Sequence, residues 1–431
     1  MPDRKRRSRP GFRVGRGLVL GLVGLALGCR QSGTSPGARS PGTAPELSSS
    51  ERQIRVQLAE GVAAVQIVVD GPWELRDGNG RVLASDAQLP FSYRIEPLAD
   101  GPRGFRAGPP DSVWNVEALE IVPLAGTVTV RFPDAREAAT VHGSVRCVAT
   151  GSNGTDVINC VDMEDYLKGV VGSEMPDTFA PEALRAQAIA ARTYAFYQRN
   201  TVGRSRSYDV RADQSSQVYG GVACERRTPR AVEAVEATRG IVCTWEAPDR
   251  QRIFCAYYSS MCGGVSQSAE NLGKGDTAGP LRGGVSCEYC SGAASCEWGP
   301  QRWSKDVVTT RLRSRFPRLR EIGRIEKVYV VETTPDGRPT RIAVEDADGR
   351  GDVLRAEEFR LAVDPTGRLF RSTRFRVGVD RDGVTFSDGR GYGHGVGLCQ
   401  WGAQDMARRG ATAGRILAHY YPGCRLALAY R

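Results

Sequence analysis

The segment 161–197, VDMEDYLKGVVGSEMPDTFAPEALRAQAIAARTYAFY, constrains the fold more than any other stretch. It encodes two helices separated by a proline-enforced break. Asp162 is a preferred N-cap residue, and Met163, Leu167 and Val170 follow on one helical face. Pro176 disfavours helical backbone at Met175, so the first helix ends before it. Pro181 and Glu182 suit the first turn of a second helix. Its stripe Leu184, Ala188, Ala191, Ala195 is small enough for close packing. One carboxylate, Glu174, falls at the break. Held between packed helices beside Met175 and Pro176, it would lose water and its pKa would rise, as a general acid near neutral pH requires. The plainer reading is a solvated turn residue, and the residue pattern leaves both open.

The N-terminus implies export. Arg4, Lys5, Arg6, Arg7, Arg9, Arg13 and Arg16 precede a short apolar run, 18–27, that ends at Gly28-Cys29. A basic region, a brief apolar core and a small residue describe a secretory signal over 1–29, too short for a membrane span. Ala26-Leu27-Gly28-Cys29 also resembles a lipobox, which makes Cys29 the expected lipidation site and a lipid anchor the expected tie to a membrane. Ordinary signal cleavage and an uncleaved anchor are the alternatives. The formal net charge of +10 is concentrated here, and beyond residue 28 it falls to about +4. That removes the main support for a nucleic-acid partner. Residues 30–50, rich in Ser, Gly, Pro and Thr, read as a disordered tether.

Residues 51–160 read as a strand-rich subdomain and 161–431 as the core that carries the helix pair. Ile54–Leu58 alternates apolar and polar residues, 64–69 is a buried-strand candidate, and Asp77-Gly78-Asn79-Gly80 is a turn. After the helix pair come a helix over 230–238, a hairpin over 240–258 and a second hairpin around Pro335-Asp336-Gly337. A Gly-rich turn and helices near 400–409 and 413–421 close the chain. Many strands with grouped helices imply an α+β fold. In GRGYGHGVGLCQWGA, glycines alternate with larger residues. They permit either a tight backbone path or close approach of a ligand to the backbone, with His394 and Gln400 presenting polar groups.

The run EDYLKGVVGSEMP with PEALRAQAIAARTYA resembles the signature of the SpoIID/LytB family, bacterial cell-wall proteins related to stage II sporulation protein D. Val218-Tyr219-Gly220-Gly221, Ala237-Thr238-Arg239-Gly240, Cys262-Gly263-Gly264, Phe359-Arg360, Ser372-Thr373-Arg374-Phe375, the Gly-rich turn and HYYPG recur in family order. The resemblance implies a lytic transglycosylase acting on the MurNAc–GlcNAc bond of peptidoglycan, in the cell envelope. Glu174 is its expected catalytic residue, and no cofactor is required for catalysis. Arg192, Tyr194, Gln217 and Tyr219 are expected near the cleft, with His394 and Gln400 as further substrate-binding residues. LytB-type members imply the alternative of a non-catalytic, peptidoglycan-binding enhancer with a cell-wall amidase as partner.

Twelve cysteines are unusual for such a chain. Cys287-x2-Cys290-x5-Cys296, with Cys262 upstream, offers four thiolates in a tetrahedral zinc pattern, structural because no open position remains. The resemblance also implies zinc in this neighbourhood in some family members, on ligands whose places Ser259 and Cys296 take here. Disulfides are the competing reading, with Cys147–Cys160, Cys243–Cys255 and Cys399–Cys424 as the spaced pairs.

Overall fold

The computed structural model describes residues 52–431 apart from 89, 99–103, 108–111, 151–153, 248–250, 274, 275 and 277. Cys29, the export signal and the tether lie outside the described residues. The N-terminal strands form two sheets. Gln53–Val62, Gly154–Asp162, Ser144–Thr150, Ala118–Pro123 and Trp73–Asp77 run side by side in a seven-stranded sheet. Val65–Val69 is central to a six-stranded one. Val65, Ile67 and Val69 alternate with exposed Gln66 and half-buried Val68 and meet Leu75, Leu119, Ile121 and Val145 of the other sheet in one apolar cluster. This strand therefore buries one face and not both. The turn at 77–80 closes as its residues imply, with Asp77 Oδ1 accepting from the N–H groups of Asn79 and Arg81 at 2.9 Å each.

Strand Gly154–Asp162 leads straight into α1, Met163–Glu174, followed by α2, Pro181–Asn200. Asp162 caps α1 by accepting from Glu164 N–H at 2.9 Å. Met163, Leu167 and Val170 are fully buried, as are Leu184, Ala188, Ala191 and Ala195 of α2. Met175, extended at φ −131°, ψ 143°, ends α1 where the following proline demands it. Two short helices, α3, Gly221–Arg227, and α4, Pro229–Ala237, complete this layer.

Residues 298–386 surround a separate apolar cluster. Phe370 stacks on Phe386 at 4.3 Å between ring centroids, and Phe359, Phe375 and Trp298 pack around them. Helices α5, Lys305–Arg315, and α6, Ala356–Val363, lie beside a three-stranded antiparallel sheet made of Ile325–Thr333, Pro339–Asp346 and Gly351–Arg355. The chain then returns to the α1–α2 core. Leu398–Cys399 pairs in parallel with Tyr258–Ser259 ahead of α7, Gln400–Arg408, and α8, Ala413–Tyr420. Cys424–Leu428 finishes antiparallel to Ile241–Glu246. The architecture is α+β.

Candidate active site and thiolate cluster

Glu174 is the last residue of α1, half-buried at the break. Burial pushes its carboxyl above the ordinary range, while the Val218 N–H and the Tyr258 phenol, both hydrogen-bonded to it, pull the other way. Burial wins. Val218 N–H donates to Glu174 Oε1 at 2.8 Å. Gln217, fully buried, donates from Nε2 to the Tyr258 hydroxyl at 2.9 Å and accepts the Tyr166 hydroxyl at 3.1 Å. Tyr258 lies beside Glu174 as a phenol that lowers its pKa. One tripeptide thus serves the site three ways: Gln217 orients Tyr258, Val218 holds the carboxylate, and Tyr219 lays its ring 5.1 Å from Tyr166. Gly169 makes that last contact possible, since a Cβ there would sit 2.6 Å from the Tyr219 ring.

Burial pushes the Tyr166, Tyr194 and Tyr258 phenols well up, with the charge of Glu174 the next cause for Tyr258, so they remain neutral donors. Tyr194 is nearly buried, 6.0 Å from the Tyr257 ring and 6.5 Å from Tyr258. His394 lies 5.9 Å from the Tyr257 ring, which in turn neighbours Tyr194. Its Nδ1 accepts from Val396 N–H at 3.0 Å. The alternating glycines meet the conformational reading directly: Gly391, Gly393, Gly395 and Gly397 all have positive φ, and a Cβ on Gly397 would fall 2.0 Å from the Tyr257 carbonyl. Gln400 is buried and donates to Gln187 Oε1 at 3.4 Å.

Arg192 corrects an expectation. It has no exposed surface and forms a bidentate pair with Glu164, Nε to Oε1 at 2.9 Å and Nη2 to Oε2 at 2.7 Å. It also donates to the carbonyls of Val235 and Ile241. A guanidinium so enclosed joins α1, α2 and α4 and cannot touch a glycan. Gln217 likewise acts through Tyr258 and not on a ligand. Tyr258 was missing from the expected site; its signal was the adjacent Tyr257-Tyr258 pair just upstream of Cys262-Gly263-Gly264.

The thiols correct a second expectation. Cys262, Cys287, Cys290 and Cys399 place their sulfurs within 4.8 Å of one another, and all four are buried. Cys399 takes the place expected for Cys296, which lies beside Cys290 but outside this set. Four Zn–S bonds of about 2.3 Å at tetrahedral angles put sulfurs roughly 3.8 Å apart. Cys262 and Cys290 are 3.8 Å apart. Cys262 N–H points at Cys399 Sγ at 3.3 Å, and the Tyr420 hydroxyl lies 3.1 Å from Cys287 Sγ. Donors aimed at sulfur suit thiolates holding a cation. No disulfide joins any of the eleven described cysteines. The register explains why Cys147 and Cys160 do not pair, since Cys147 faces Val157 and Cys160 faces Ser144. Cys424 neighbours Cys243, displacing both remaining expected pairs.

Residues 151–245 match the family model described as SpoIID, Stage II sporulation protein. An uncharacterized protein of Brachyspira hyodysenteriae is 32% identical over 269 residues, 62% of this chain and 67% of that one. Stage II sporulation protein D of Bacillus subtilis is 26% identical over 328 residues, 73% of this chain and 89% of its own length. The chain belongs to the SpoIID/LytB family. The family's second named branch is also represented: the amidase enhancer of Bacillus subtilis is 28% identical over 298 residues, 60% of this chain and 40% of that one. Glu174, Gln217 and Tyr219 fall inside the SpoIID match, whereas Tyr258, the thiolate cluster and His394 lie beyond it. Membership carries a role at the cell wall and in the cell envelope. No helix among the described residues is long and apolar enough to cross a membrane.

Proposed function

We propose that the protein is a peptidoglycan lytic transglycosylase in which Glu174 works alone as acid and then base. The observation that carries this reading is the environment of Glu174: a carboxyl raised by burial, fixed by Val218 N–H and Tyr258, at the break between α1 and α2. Protonated Glu174 gives its proton to the glycosidic oxygen as the C1–O bond breaks. The resulting carboxylate accepts the C6 hydroxyl proton as O6 bonds to C1, closing a 1,6-anhydro sugar and restoring the acid. Hydrolytic glycosidases need a second carboxylate for a nucleophile or a water. An internal hydroxyl makes that partner unnecessary. Tyr258 steadies the carboxylate between its two roles, while half-buried Tyr219 and His394 offer contacts to the glycan. The substrate class is glycan strands stripped of their peptides.

Cys262, Cys287, Cys290 and Cys399 are proposed to hold a structural zinc ion. It would tie the Tyr258–Ser259 and Leu398–Cys399 strands together and so support Tyr258, with no part in the chemistry. A lipid anchor at Cys29 would hold the enzyme at the membrane facing the wall. The similarity to the amidase enhancer supports a second reading, a non-catalytic wall protein acting on an amidase. Digestion of denuded glycan strands separates the two. Wild type should release anhydro ends detected by mass spectrometry, and Glu174→Gln should lower their yield by about 10²–10⁴. A wild-type protein that makes none, yet is retained by peptidoglycan or by an amidase, makes the enzyme reading wrong.

A further inference from the structure

Arg338 is a buried charge with no carboxylate to balance it. It ends the turn 334–338, where Thr334 N–H donates to the Arg338 carbonyl at 2.8 Å and Arg338 N–H to the Thr334 hydroxyl at 3.0 Å. That turn joins Ile325–Thr333 to Pro339–Asp346 and delivers the guanidinium to the loop that carries Cys262. There Nη2 donates to the carbonyls of Cys262 and, at 3.1 Å, Val265, while Nη1 donates to the Thr373 hydroxyl at 3.3 Å. The residue is 1% exposed, and its Nε meets no acceptor. The Gly-rich turn closes against it, since a Cβ on Gly395 would lie 3.1 Å from Nη1. Neutral acceptors solvate a guanidinium but leave its charge in place, and an unbalanced charge in a protein interior is costly. Among the described residues no carboxylate pairs with Arg338: nearby Asp336 is taken by Arg374 and Glu357 by Arg360.

The opposite imbalance lies beside it. Cys262, Cys287, Cys290 and Cys399 are buried with their sulfurs within 4.8 Å of one another. Four thiolates around a divalent zinc ion leave negative charge in excess. The Cys262 N–H and the Tyr420 hydroxyl that face these sulfurs are dipoles and carry no net charge against it. Arg338 is a full cation hydrogen-bonded to a member of the set.

We infer that Arg338 is the counter-charge of the thiolate centre, so that the metal-loaded set and the buried guanidinium neutralise one another. The inference rests on the zinc reading above and adds a residue outside the ligand set that governs metal affinity. The two halves are linked: zinc lowers the cost of burying Arg338, and Arg338 strengthens the site for zinc. Because the hairpin of residues 325–346 delivers Arg338, metal loading also fastens that hairpin to the Cys262 loop and the Gly-rich turn.

The test measures zinc affinity of the reduced protein by competition with a chromophoric chelator, and thermal melting with zinc bound and after chelation. Arg338→Gln keeps an amide donor but loses the charge, and should bind zinc about 10–100-fold more weakly than wild type. Arg338→Lys, which keeps the charge, should recover most of that loss. Arg360→Met breaks the buried pair with Glu357 and should bind zinc as wild type does. Arg338→Gln should also lower the melting temperature more with zinc bound than after chelation, because the zinc-bound state alone carries the excess negative charge. Equal zinc affinity in wild type and Arg338→Gln, or the same melting loss with and without zinc, overturns the inference and leaves the zinc reading standing. So does Arg338→Lys binding as weakly as Arg338→Gln, or an equal loss of affinity in Arg360→Met. A wild type that binds no zinc overturns both. Should Arg338→Gln fail to fold, Arg338→Lys decides, and a loss of affinity beyond about tenfold despite its charge overturns the inference.

Discussion

Replacing Arg192 with Met tests whether this arginine belongs to the scaffold or to the substrate. The change leaves Glu164 buried with only the Gly240 N–H and the Tyr430 hydroxyl for partners. Breaking a buried ion pair from one side costs about 3–5 kcal/mol. Losing the hydrogen bonds to the Val235 and Ile241 carbonyls, about 1 kcal/mol each, places this case towards the top of that range. The pH dependence gives a sharper signature. In the wild type, burial opposes ionisation of Glu164, but the Arg192 charge and the hydrogen bonds to Arg192, Tyr430 and Gly240 hold its carboxyl below the ordinary value. That stability is present above the unfolded pKa and is lost as pH falls through the depressed folded one. Without Arg192, burial dominates and the slope reverses: the variant should lose ground as pH rises. Glu164→Gln with Arg192→Met should cost less than the sum of the single changes, with a coupling of about 0.5–3 kcal/mol. Urea unfolding followed by circular dichroism between pH 2 and 8 measures all of this (a range that brackets the ordinary carboxylate pKa, about 4.3). An Arg192→Met protein as stable as wild type at neutral pH, but weak on glycan strands, would refute the scaffold reasoning.

The thiolate cluster predicts metal content by position. Cys399→Ser should abolish stoichiometric zinc measured by plasma mass spectrometry on reduced protein, whereas Cys296→Ser should retain it; the reverse result would restore the ligand set read from spacing. Glu174→Gln should also alter stability. Because burial raises the folded pKa of Glu174 above its unfolded value, ionisation lowers wild-type stability as pH rises through that window. The variant should therefore match wild type below the unfolded carboxylate pKa and exceed it at neutral pH, as thermal melts at both ends would show.

Much of the local structure was legible because local chemistry decides it. Asp162, Pro176 and Pro181 each act within a few residues, through a cap, a forbidden backbone region and a preset φ, and all three set the element ends where expected. The small stripe of α2 announced close packing for the same reason. Strand 65–69 was less legible. Its apolar run hid the single exposed Gln66, and only pairing with strands on both sides shows which face is buried.

The site was harder to read because its decisive contacts join distant parts of the chain. Arg192 advertised a need for a carboxylate, but nothing near it in sequence named Glu164, 28 residues away. Cys399 reaches the thiolate set through the parallel pairing of Leu398–Cys399 with Tyr258–Ser259, a partnership spanning some 140 residues. Spacing rules see Cys-x2-Cys but not a ligand delivered by a strand. The same pairing brings Tyr258 towards Glu174, so one long-range contact hid both the fourth thiolate and the phenol that holds the candidate acid. The two omissions therefore share a single cause. It follows that a change weakening the Cys399 strand should disturb the Tyr258–Glu174 hydrogen bond without touching either residue.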